Sequence, residues 1–295
     1  MENCLKLAEQ PTDSTTCDNS IADSCSDSVT VLSTVLVAAV FFTSGIPALV
    51  YQMAWQRILA LHSGVGIYSV AMIVAAFMGG LGIGNCIGGL ISTRLSPRGA
   101  LRTFGLVELG IGLFGVVSAP LYYDLLYVKG SWLYETTWLA GLCHFLALLV
   151  PTGLMGMSLP LLVRAMVRNV ESAGRMIGCL YGINVLGASL GALVTPWILV
   201  RHWGIRGSIF IAVGFNVLVG LTALLVSQIR TFAATGDGRA SSTSAPLGTG
   251  LGQTATHPFL LWVILYTVSG FIGLALEIVW FRLCDVASKS TAFTF

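Results

Sequence analysis

Charge is missing from long stretches of this 295-residue chain, and the gaps fix what it can become. No Asp, Glu, Lys or Arg falls between Asp27 and Arg57, Arg57 and Arg94, Glu135 and Arg164, Arg175 and Arg201, or Arg206 and Arg230. A helix of about 20 apolar residues crosses the hydrocarbon of a bilayer, and each gap has room for one. The gaps lack the two-residue alternation of barrel strands, so helices are the way left to satisfy the backbone in lipid. Charged residues make up 9% of the chain, against about 25% in a soluble domain. A polar shell cannot be built from so few. A water-soluble enzyme, a nucleic-acid module and a disulfide-stapled secreted domain are excluded.

Seven spans are predicted, at about 31–54, 66–92, 103–127, 137–162, 176–200, 207–228 and 258–281. They divide the chain into a polar tail (1–28), a six-helix transmembrane bundle (29–228), a linker (229–257) and a seventh span that opens a second repeat (258–295). The tail is rich in Ser, Thr and Asp and reads as disordered. The linker is rich in Gly, Ser, Thr and Ala and reads as flexible. A 28-residue polar tail precedes the first span, which is too long for the apolar core of a signal peptide. Lys and Arg favour the N-terminal side, where Arg94, Arg98, Arg102, Arg164, Arg168 and Arg175 fall. The N-terminus is therefore predicted to be cytoplasmic. The seven cysteines show no metal spacing and read as free thiols. No metal or cofactor is expected, and no nucleic-acid partner.

The seventh span repeats the first. Ser44-Gly45, Gln52, Trp55 and Arg57 align at one constant offset with Ser269-Gly270, Glu277, Trp280 and Arg282. Six spans separate the copies, so both have the same orientation. Parallel six-helix repeats are the plan of the major facilitator architecture. The expected fold is an all-α polytopic membrane protein: a facilitator-like six-helix half plus the first helix of a second parallel repeat. On this reading the chain is a fragment; the alternative is a seven-helix bundle complete in itself.

Few residues in the spans can carry chemistry. Glu108 lies inside the third span, where a carboxylate is costly and faces a partner or a cavity. It reads either as a proton- or cation-binding group or as a hydrogen-bonded structural acid. Glu277 stands three residues before Trp280, so a carboxylate and an aromatic ring share a helix face, a pairing that suits an organic cation. Gln52 is its counterpart in the first span. Trp55 with Arg57, and Trp280 with Arg282, form a repeated helix-end signature, expected to anchor at the membrane interface. His144 is alone in the fourth span and reads first as a packing residue. Asn85, Asn184 and Asn216 read as interhelical hydrogen-bonders, with Asn184 also a candidate solute contact. Glycines crowd the second, third and fifth spans and allow close helix approach. Pro151 and Pro160 are expected to kink the fourth. The chain holds no triad, nucleotide loop or zinc spacing, and hence no catalytic residue.

An ordered set of segments resembles a known family. The set comprises Ser44 to Arg57, Ala75 to Gly84, Glu108 to Gly112, Pro151 to Arg164, Gly178 to Ala192 and Gly204 to Gly207. It is similar to the membrane domain of spermidine-synthase-like membrane proteins, where facilitator-type helices precede a soluble aminopropyltransferase-type domain. The likeness runs over about residues 35–228 and 260–295. It implies a twelve-helix-like membrane part and, in many members, a C-terminal domain that transfers an aminopropyl group. The Gly-rich loop and Asp residues of that domain are not in this chain, so no catalytic position carries over. Gly89 to Arg94 resembles the facilitator loop motif, but Thr93 stands where Asp is usual.

Three functions are expected. The first is the membrane-embedded half of a spermidine-synthase-like protein, non-catalytic by itself, moving or scaffolding a polyamine-related substrate. The second is a facilitator-type transporter of a small cationic solute, with Glu108 and Glu277 as cation or proton sites. The third is a structural anchor for a soluble domain outside this chain. The lipid bilayer is a partner in all three.

Overall fold

A computed structural model describes residues 14–63, 67–129, 137–167, 170–228 and 259–287. These form α1 (Ser14–Ser63), α2 (Ile67–Ser92), α3 (Pro97–Ala119), α4 (Thr137–Met166), α5 (Val170–Val194), α6 (Val200–Val226) and α7 (Phe259–Ala287). Two π-helical stretches, Pro120–Lys129 and Thr195–Leu199, come directly after α3 and α5. The described residues contain no strand. The linker assigned to 229–257 lies outside them, as do residues 1–13 of the tail.

Among the described residues, six helices are long and apolar enough to cross a membrane, giving a multi-pass membrane protein. One of them, Ala173–Val226, is 54 residues long. A straight helix of that length measures about 80 Å, more than twice the hydrocarbon thickness of about 30 Å. It therefore holds two of the seven expected spans, α5 and α6. Inside the start of α6, where the helix kinks, Gly204 adopts φ 67° and ψ −176°, a region that is essentially glycine's own. A Cβ there meets nothing within 4 Å, so only the backbone resists substitution. Gly204→Ala should cost about 1–3 kcal/mol, seen as a lower thermal midpoint of the detergent-purified protein.

Helix ends differ from expectation, most of all at the start of the first helix. Helix α1 starts at Ser14 and takes in residues assigned to the disordered tail. Once an apolar helix is nucleated, adding residues to its end is far easier than starting one. Helix α4 is assigned continuously through Pro151 and Pro160.

The main packing partners are α1 with α5, α2 with α4 and α3 with α6, joined by α3 with α4 and α1 with α6. This pattern maps onto itself when α1, α2 and α3 exchange places with α4, α5 and α6. The closest contacts obey the same exchange. A Cβ on Gly45, Gly187 or Gly191 would strike the backbone carbonyl of Asn184, Phe42 or Ile46 between α1 and α5. A Cβ on Gly156, Gly84 or Gly88 would strike the backbone of Leu81, Gly153 or Met157 between α4 and α2. Each contact of the first set has its counterpart in the second at a constant offset along each helix. Gly105 and Gly220 sit at the crossing of α3 and α6, each with its missing Cβ aimed at the other's carbonyl. Three spans per unit is an odd number, so the two units are inverted relative to one another.

One end of the bundle is braced through the backbone. Ser96 caps α3, its Oγ accepting from Gly99 N at 3.1 Å. Arg98 Nε donates to the Ser227 carbonyl at 2.6 Å, and Arg164 Nε to the Leu95 carbonyl at 2.9 Å. Thr93, in the place of the usual Asp, donates locally to the Leu90 carbonyl. The loop is thus held by arginines on carbonyls.

Candidate functional site

Glu108 sits near the middle of α3 and is only 1% exposed. Three helices bring donors to it. Ser44 Oγ of α1 donates to Oε1 at 2.6 Å, and Ser158 Oγ of α4 to the same oxygen at 3.4 Å. Asn216 Nδ2 of α6 donates to Oε2 at 2.7 Å. All three donors are neutral. A charged carboxylate buried without a cation is expensive, so such a group takes up a proton or a positive ligand. Asn216 Oδ1 is buried and accepts no hydrogen bond among the described residues. The site therefore has acceptor capacity to spare.

A cavity of about 380 Å³ opens beside this carboxyl. Gln52, Asn85, Tyr181 and Asn184 add polar groups to its lining, and Phe41 and Phe77 add ring faces. Among the described residues, neither Lys nor Arg lines it. The arrangement suits a small organic cation: one anion, neutral acceptors, and aromatic faces that attract positive charge.

The structure thus joins Glu108, Gln52 and Asn184, three of the sequence candidates, in one cavity. Asn184 also ties α5 to α1, with Nδ2 donating to the Phe41 carbonyl at 3.1 Å. Glu277 lines a second cavity of about 520 Å³, again with Gln52. His144, read first as a packing residue, is buried on α4 and lines neither of these two cavities. Ser44 was visible only as part of the repeated Ser-Gly pair. Ser158 gave no signal, because a serine's partner is a tertiary fact.

The expected helix-end anchor is corrected at Trp55. Its side chain is fully buried, whereas its repeat counterpart Trp280 is 61% exposed. Trp55 stacks on Tyr51 with ring centroids 4.9 Å apart and meets Phe77, Phe114 and Tyr122. Helix α1 continues past Arg57 to Ser63, so neither residue stands at a helix end. Arg57 is half-buried and partnered. The Arg282 side chain lies outside the described residues.

No protein-family model matches this chain, and no solved structure does. Three similar proteins carry one kind of name. A polyamine aminopropyltransferase of Corynebacterium efficiens is 30% identical over 177 residues, covering 59% of this chain and 32% of the relative. One from Mycobacterium tuberculosis is 34% identical over 183 residues, with the same coverage. Polyamine aminopropyltransferase 2 of Streptomyces coelicolor is 26% identical over 199 residues, covering 63% and 34%. The matched region spans about a third of each relative's length, and over some three-fifths of its own length this chain is a relative of proteins so named.

Proposed function

We propose that this chain is the membrane-embedded part of a polyamine-handling protein, and that its central cavity receives an organic cation at Glu108. The observation that carries this reading is the buried carboxyl, held by three neutral donors beside a cavity that no Lys or Arg among the described residues lines. The relatives' names supply the substrate class: polyamines are aliphatic cations, which such a cavity suits.

The finer reading is a facilitator-type half. Supporting it are the inverted three-helix units and the parallel repeat of α1 in α7, two levels of symmetry that facilitators combine. A cavity at mid-membrane between such units is where solutes bind in these folds.

The test is uptake of a radiolabelled aliphatic triamine by liposomes containing the full-length protein. Saturable uptake or binding above protein-free liposomes, displaced by unlabelled amine, is the expected result. If neither occurs, the reading fails. An anchor for a soluble domain would then be favoured if that domain's activity survives replacement of these helices by an unrelated span.

A further inference from the structure

We propose that the cavity system is a two-point site for an aliphatic amine with two terminal ammoniums, Glu108 taking one and Glu277 the other. This rests on reading the Glu108 cavity as an organic-cation site and adds a second anchor to it.

The two cavities are neighbours. Both are lined by Leu49, Gln52 and Met78. Glu108 lines the first and Glu277 the second, so the two carboxylates belong to cavities that share one wall. That wall has two apolar side chains and one neutral amide. An α,ω-diamine has the same order of parts: charge, apolar stem, charge. Among the described residues, neither cavity is lined by Lys or Arg.

The reach from Glu108 to the shared wall is short. Ser44, bonded to Glu108, and Gln52, shared with the second cavity, are eight residues apart on α1. At the rise of a helix this is about 12 Å. A short aliphatic diamine, held at one end on Glu108 by a charge-assisted hydrogen bond of about 2.8 Å, extends its other end along this length toward Gln52, which lines the second cavity with Glu277. The inner end is equipped for an ammonium, whose three N–H groups need acceptors. Glu108 supplies two oxygens, and Asn216 Oδ1 stands without a donor among the described residues. The outer end is exposed, as Glu277 is, so the second ammonium stays near water while the first is buried.

The experiment is equilibrium binding of butane-1,4-diamine and 1-aminobutane to the full-length protein in nanodiscs of zwitterionic lipid. The native protein should prefer the diamine by about two- to fivefold, the effect of one exposed ion pair. Glu277→Gln should bring the diamine down to the monoamine's affinity. The two-point site is overturned if the native protein binds both amines equally, or if the preference survives Glu277→Gln. In both cases binding abolished by Glu108→Gln would leave the single cation site standing. If the native protein binds neither amine, the cation site falls too.

Discussion

Glu108→Gln should abolish saturable amine binding while leaving a folded, monodisperse protein. Glutamine keeps the shape of the side chain. Its carbonyl can accept from Ser44 and Ser158 as Oε1 does now. Its amide would then face Asn216 Nδ2, a donor. Rotation of the Asn216 amide resolves that conflict by presenting Oδ1, which accepts from none of the described residues at present. The fold therefore tolerates the change. A buried ammonium does not: it loses its counter-charge, and breaking a buried ion pair costs about 3–5 kcal/mol. That is more than a hundredfold in affinity. Binding isotherms on size-exclusion-purified protein check it, and affinity retained within threefold would sink the role given to Glu108. Glu108→Ala is a different experiment. It strands buried donors at about 1–3 kcal/mol each, so it reads out stability as well as binding.

Gly187→Val should destroy the packed bundle outright. A Cβ at this position falls on the Phe42 carbonyl of α1, and a backbone carbonyl cannot rotate away. The two helices must separate, and the loss of close packing spreads along a seam that also includes Gly45 and Gly191. Gly178→Val on the same helix is the control, since a Cβ there meets nothing within 4 Å. The monodisperse fraction by fluorescence-detected size exclusion should collapse for the first variant and stay near native for the second. Comparable profiles would show that α1 and α5 do not meet as described.

The membrane class and the span positions were legible because charge and hydropathy are one-dimensional properties: the gap from Arg57 to Arg94 is α2 wherever its neighbours lie. Glu108 was legible for the same reason, as an acid out of place. Its setting was not. Ser44, Ser158 and Asn216 come from three different helices, and sequence says nothing of which side chains face each other across a bundle. Trp55 was misread because tryptophan beside arginine resembles a membrane interface, while its burial comes from rings on other elements, Phe77, Phe114 and Tyr122, that sequence does not bring together. The parallel repeat showed because side-chain identities recur at one offset. The inverted repeat did not, because backbone carries it: Phe42 and Gly153 play one part with nothing in common but a carbonyl.

Those glycine contacts also dictate how the protein can move. A carbonyl touching a bare Cα has no side chain to absorb sliding, so α1 with α5, α2 with α4, and α3 with α6 each behave as a stiff plank. Rearrangement that preserves the helices has to occur between planks. Glu108 belongs to the third, bonds Ser44 on the first and Ser158 on the second, and so fastens all three at one point. Whatever neutralises that carboxyl acts on the fastener itself, and a chemical event of a single charge becomes a mechanical one.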